Sequence, residues 1–229
     1  MTSLRRPSLL VVCGLRREQA CATGPGIAAV VGSGRRRLLE ERLAAFDPDG
    51  LDAVVSFGLA AGLDPTLEPG DVVIPDRLHP DGGEGPVPVD LAAALRRAVL
   101  AAGITPAECD RLAGVILPLA TPAAKAELRS RTGAGAADME SHVASAYAAT
   151  HGLPFGVLRV VSDGAGHSVP PAAIAAIGTC GGIDVPAVLA SLLRHPGQLP
   201  GLLATARDGA RAFRVLGRVG GLLLGLHLR

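Results

Sequence analysis

Apolar residues in this chain come in short unbroken runs separated by stretches of helical periodicity. Ser8 to Cys13 (SLLVVC) is one such run, ended by Gly14, and reads as a strand buried on both faces. Ile27 to Val31, Asp52 to Phe57, Asp71 to Ile74, Ala113 to Leu117 and Phe155 to Val161 are further predicted strands. Between them, Arg35 to Ala45 turns Leu38, Leu39 and Leu43 to one helical face, and Pro88 to Ala102 is a second helix. Thr121-Pro122 opens a third, running to Arg131, with a capping hydroxyl followed by a proline suited to the first helical position. Met139, Val143, Ala146 and Tyr147 recur at helical spacing from Met139 to Thr150, and His151-Gly152 ends that helix. Strands alternating with helices in this way imply βαβ units. The expected fold is therefore α/β, a single-domain three-layer αβα arrangement around a mostly parallel twisted central sheet. Ligands of such sheets sit beyond the carboxyl ends of the strands, which directs attention to the loops at Gly14, Gly58 and Ser162.

Composition narrows this picture. A chain of 229 residues, 48% hydrophobic, suits one catalytic domain. A net charge of +1 and an aromatic content of 2% give no reason to expect a nucleic-acid partner. The charge is uneven, however: from Pro186 onward six arginines face the single acid Asp208, so the tail carries +5 and the rest −4. Residues 1–185 are expected to form the catalytic domain and 186–229 a basic amphipathic helical extension. Cys13, Cys21, Cys109 and Cys180 are scattered without metal-ligand spacing, and the six histidines form no metal-binding pattern. The apolar runs Leu9 to Cys13 and Val219 to Leu228 are too short for a signal-peptide core and for a membrane span, which takes ~20 apolar residues. A cytoplasmic protein without metal or organic cofactor is the expectation.

Three loops carry candidate chemistry. Gly14-Leu15-Arg16-Arg17-Glu18 offers two guanidinium groups and a carboxylate at the mouth of the sheet, able to bind an anion or position water, or else simply a solvated turn. Ser56-Phe57-Gly58-Leu59-Ala60-Ala61-Gly62 lets backbone approach a ligand closely, as a plain tight turn also would. Val161-Ser162-Asp163-Gly164 puts an acid at the end of an apolar strand, where partial desolvation lets a carboxyl hold a proton; a helix-capping aspartate is the commoner role for such a residue.

Two longer stretches add a resemblance. Ser56 to Asp76 (SFGLAAGLDPTLEPGDVVIPD) and Ala137 to Asp163 (ADMESHVASAYAATHGLPFGVLRVVSD) resemble, in order and spacing, the signatures of the methylthioadenosine/S-adenosylhomocysteine nucleosidases and their purine nucleoside phosphorylase relatives, over roughly residues 8 to 190. That resemblance implies that Met139 and Glu140 hold the ribose, Glu140 accepting hydrogen bonds from its hydroxyls. It implies that Asp163 protonates the departing purine while Ser162 steadies it. The hydrolases' water-activating glutamate is expected at Gln19, so Glu18 would have to serve one residue early. Ser56 and Leu59 stand where the phosphorylases hold phosphate, and the water or phosphate site is expected to comprise Gly14, Arg16, Arg17, Gly58 and Leu59. Inorganic phosphate as co-substrate stays open.

GLRREQA, DMESHVASAYA, the Pro170-Pro171 pair and LLRHPGQLPGLL narrow the resemblance to the hopanoid-associated phosphorylases. This implies release of adenine from adenosylhopane, a nucleoside with a polycyclic lipid at its 5′ carbon. Arg207, Arg211, Arg214 and Arg218 share one helical face, opposite Leu202, Phe213, Leu216 and Val219. That pattern reads either as a helix lying on an anionic inner-membrane surface or as a helix packed on its own domain or a partner subunit. His167, four residues past Asp163, lies near the expected site. A homo-oligomer is implied by the resemblance. The rival readings are a general methylthioadenosine or adenosylhomocysteine nucleosidase and a nucleoside-binding module without turnover.

Overall fold

The computed structural model describes residues 8–80, 85–175 and 185–226; Cys180, His227 and Arg229 lie outside them. Its order is β1 (Leu9–Cys13), α1 (Arg16–Cys21), β2 (Ile27–Val31), α2 (Arg36–Ala44), β3 (Ala53–Gly62), β4 (Val72–Val73), β5 (Arg77–His79), β6 (Val87–Pro88), α3 (Ala92–Ala101) and β7 (Arg111–Gly114). There follow α4 (Pro122–Thr132), β8 (Ala136–Asp138), α5 (Ser141–Thr150), β9 (Phe155–Asp163), α6 (Pro171–Ala175), α7 (Val185–Arg194) and α8 (Leu199–Gly220). Strands join in the order β2-β1-β3-β8-β7-β5-β6, with β9 pairing β3 and β4. Five of the pairings are parallel; β3 with β8, β4 with β9 and β5 with β6 are antiparallel. The sheet is thus mixed but mostly parallel and open, flanked by helices, as the alternation of elements predicts.

The strands β1, β3 and β9 form the centre because their runs are apolar on both faces: Leu10, Val11, Val12, Val54, Val55, Phe57, Leu158 and Val160 are all without exposure. Helix α4 begins as expected, with Thr121 Oγ1 accepting from the Ala124 amide at 3.2 Å, and ends on Gly133 at φ +67°.

Several elements depart from the sequence reading, among them β5, which was not predicted, and β7, which ends at Gly114 where the reading ran from Ala113 to Leu117. Strand β3 runs on to Gly62 through the segment read as a turn, because β9 pairs along its length, with a register shift between Ala60 and Ala61. Residues 16–21 form a short helix instead of a loop. Three-residue β8, unpredicted, is made by its neighbours β3 and β7. Pro88, read as the first residue of a helix, instead lies with Val87 in the edge strand β6, where a proline is tolerated.

Helix α8 packs on β9, β3 and α1. Ala212, Leu216 and Val219 are buried in the main core, each fully buried Leu or Val contributing roughly 1.5–3 kcal/mol, while Arg207, Arg211, Arg214 and Arg218 are exposed. The apolar face read from the tail is therefore turned onto the protein's own domain. Among the described residues no helix is long and apolar enough to cross a membrane.

Candidate active site

Arg159 stands in the middle of the apolar strand β9 and is fully buried. A guanidinium there must be met by acceptors. Its Nη2 lies 2.5 Å from Asp138 Oδ2 and donates to Ser56 Oγ at 2.5 Å; its Nη1 donates to the Leu59 carbonyl at 3.2 Å and lies 3.5 Å from Glu140 Oε2. Ser141, the first residue of α5, ties the group together. Its hydroxyl donates to Asp138 Oδ2 and lies 2.9 Å from Ser56 Oγ, and its amide donates to Asp138 Oδ1 at 3.1 Å.

Glu18, on α1, is fixed by the ends of two central strands. Its Oε2 accepts from the amides of Gly14 at 2.7 Å and Leu15 at 2.8 Å, and its Oε1 from the amide of Leu59 at 2.8 Å. Burial pushes its carboxyl above the ordinary carboxylate range, against the pull of the Arg159 charge and of these amides. Glu140 is pushed further, to about 8, first by burial and then by the neighbouring Asp138 and Glu18 charges, with Arg159 opposing. Two glycines make the arrangement possible. A Cβ on Gly14 would stand 2.7 Å from Glu140 Oε1, and one on Gly58 (φ +154°) would stand 2.6 Å from Glu18 Cδ.

Asp163 ends β9. Its Oδ1 accepts from Ser162 Oγ at 2.6 Å, and its Oδ2 is paired with the ammonium of Lys125. Lys125 lies on α4 and is fully buried; its Nζ also donates to the carbonyls of Gly164 at 2.8 Å and His167 at 3.1 Å.

These groups share a cavity of about 870 Å³. Its polar lining includes Glu18, Asp138, Glu140, Ser162 and Asp163, with the exposed Arg16 and Arg17 at its rim, and Met139 lines it between Asp138 and Glu140. Its apolar lining comes from Val169, Ile174 of α6, Val188 of α7, and Leu202, Ala206 and Phe213 of α8. Arg17 stacks over Phe213, 4.1 Å from the ring centre. Among the described residues no cluster of His, Cys, Asp or Glu side chains is placed to hold a metal ion.

The profile of the phosphorylase superfamily matches residues 9–172. The chain belongs to the phosphorylase superfamily. It is accordingly an enzyme of the nucleoside phosphorylase and nucleosidase kind. No curated protein matches the sequence. Among solved structures, a Helicobacter pylori 5′-methylthioadenosine nucleosidase mutant with 5′-methylthioadenosine in its active site is similar with a TM-score of 0.63, 13% identity, and 93% of this chain and 97% of that one covered. The Campylobacter jejuni 5′-methylthioadenosine/S-adenosylhomocysteine nucleosidase gives 0.61, 14%, 93% and 99%. The Helicobacter pylori futalosine hydrolase gives 0.62, 15%, 92% and 97%. At these identities the likeness is one of fold.

Within this superfamily member, the residues named from the sequence converge: Gly14, Arg16, Arg17, Glu18, Leu59, Met139, Glu140, Ser162 and Asp163 all line the one cavity. Gly58 and Ser56 do not line it: Gly58 lies behind it under Glu18 and Arg159, and Ser56 meets Arg159. Gln19 lines a separate, smaller cavity with Arg16 and Arg42, so Glu18 is the carboxylate that α1 turns inward. His167 keeps its ring outside the main cavity's lining, 3.2 Å from Thr205 Oγ1. Sequence reasoning missed Arg159, Asp138 and Lys125. A lone arginine inside FGVLRVV was a usable signal, because a buried strand tolerates a charge only with partners. Lys125 gave none, since lysine at that place in a helix reads as solvated.

Proposed function

We propose that this enzyme hydrolyses the N-glycosidic bond of an adenine nucleoside whose 5′ carbon carries a large apolar substituent. Asp163 protonates the departing base, Ser162 steadies that carboxyl, Glu140 and Met139 hold the ribose, and Glu18 takes a proton from the attacking water. The observation that carries this reading is that Asp163, Glu140 and Glu18 line one cavity.

Each role follows from the group's surroundings. A purine that leaves without a proton leaves as an anion, and a positioned acid accelerates such a step ~10²–10⁴-fold. Glu18, raised above the ordinary range by burial, is a stronger base than an exposed glutamate and keeps lone pairs for water beside its three amide partners. Phosphate is disfavoured at this end because Asp138, Glu140 and Glu18 already surround the buried Arg159 guanidinium. Arg16 and Arg17 support the alternative of phosphate entering at the rim. The nucleosidase and hydrolase among the structural relatives support hydrolysis.

The apolar lining from α6, α7 and α8 supports a bulky substituent, and the hopane skeleton implied by the sequence resemblance is of that class. Adenine release is to be measured from adenosylhopane, methylthioadenosine and adenosylhomocysteine, each with and without phosphate, and the sugar product weighed by mass spectrometry. Free ribosyl product with preference for the bulkiest substrate is expected. A ribosyl phosphate would replace hydrolysis by phosphorolysis, preference for methylthioadenosine would point to a general nucleosidase, and binding without cleavage would overturn the enzyme mechanism.

A further inference from the structure

We propose that Lys125 is a positioning residue for the acid: it aims the Asp163 carboxyl at the base and supplies the proton that the base carries away. The proposal rests on the reading of Asp163 given above. An ammonium has three N–H donors, and here all three are met, by Asp163 Oδ2 and by the carbonyls of Gly164 and His167. The side chain has no exposure, and the Asp163 side chain has 10%. A buried ion pair is poor value for stability alone, since apolar side chains of the same size usually serve as well or better. Its place is also specific. Two of the three acceptors belong to the segment that leaves β9, and the third is the group that meets the ligand cavity.

The pair holds one transferable proton. An N–H bond of Lys125 breaks as an O–H bond forms on Asp163. That carboxyl then gives its proton to the purine as the bond between C1′ and the base breaks and its electron pair passes to the base. After the base leaves, the proton that Glu18 took from the attacking water passes by way of water in the shared cavity to Asp163 and restores the ammonium, so that one water is consumed and each group ends as it began.

A clamp on the segment 164–167 would use the same contacts, so the test separates the two. The unmodified chain and Lys125→Gln are compared on purine ribosides graded in leaving-group acidity, ending with 4-nitrophenyl riboside, whose leaving group needs no proton. For Lys125→Gln, kcat is expected to fall ~10²–10⁴-fold on the poorest leaving group and progressively less along the series. An equal loss across the series, or no loss, overturns the proposal. If Lys125→Gln fails to fold, Lys125→Met, which keeps the stem and its packing, takes its place; failure of both makes the residue structural and overturns it too. Absence of any cleavage by the unmodified chain fails the proposed function instead, and this inference falls with it.

Discussion

Gly58 lies opposite Arg159 in the β3–β9 ladder, and a Cβ built on it would stand 2.7 Å from Arg159 Nη1. The same Cβ would stand 2.7 Å from Glu18 Oε1, so one missing methyl group lets the guanidinium and the glutamate share the space behind the cavity. Gly58→Ala is expected to displace both and to strain the backbone at φ +154°, costing about 1–3 kcal/mol and most of the turnover. Thermal melting and adenine release from the same preparation check it; an active, equally stable variant would show that neither side chain needs its present position.

Removing the cation that these carboxylates share is more damaging. Arg159→Met leaves Asp138 and Glu140 buried without their ion-pair partner. The expected loss is ~3–5 kcal/mol of stability, read by urea unfolding. Arg159→Lys is expected to recover little, because a single ammonium cannot reproduce the fork that meets Asp138, Ser56 and Leu59 at once.

Glu140 sets a pH dependence of stability. Its carboxyl is raised from 4.5 to about 8, so between these values the folded protein binds more protons than the unfolded chain. Stability from this group is full below pH 4.5 and is lost as pH rises towards 8; the upward shift of Glu18 acts in the same direction. Melting temperature should therefore fall across that window, and Glu140→Gln should flatten the fall. A rise that Glu140→Gln leaves untouched would contradict the assignment.

Glu18→Gln keeps the size of the side chain but removes the base. Hydrolysis should drop ~10²–10⁴-fold while nucleoside binding, measured by calorimetry, stays near that of the unmodified chain. If the rate is unchanged, Glu18 does not activate the water.

Gly209 offers a test of the apolar half of the cavity. It lines the cavity from within α8, and a Cβ built there meets nothing within 4 Å. Gly209→Leu should stabilise the helix by about 0.5–1 kcal/mol while raising KM for a nucleoside with a bulky 5′ group and sparing one with a small group. Equal effects on both substrates would place the 5′ substituent elsewhere.

The alternation of apolar runs and helical periods was enough to determine the α/β class, the central strands β1, β3 and β9, and the capped start of α4, because burial on both faces and helix capping leave their mark within a few neighbouring residues. Glu18 and Asp163 were legible for a related reason, standing after and at the end of apolar strands whose carboxyl ends open on the ligand side; Glu140 was named only through the family resemblance, because the strand before it left no pattern of its own. The rest was decided in three dimensions. Strand β3 continues through glycines because β9 pairs with it, and β8 is a strand because β3 and β7 flank it. Arg159 gathers Asp138 and Glu140, and Lys125 reaches Asp163 across 38 residues of sequence. A charge survives burial only when its partners are brought to it, and which partners arrive depends on how distant segments pack, which no local pattern of residues records.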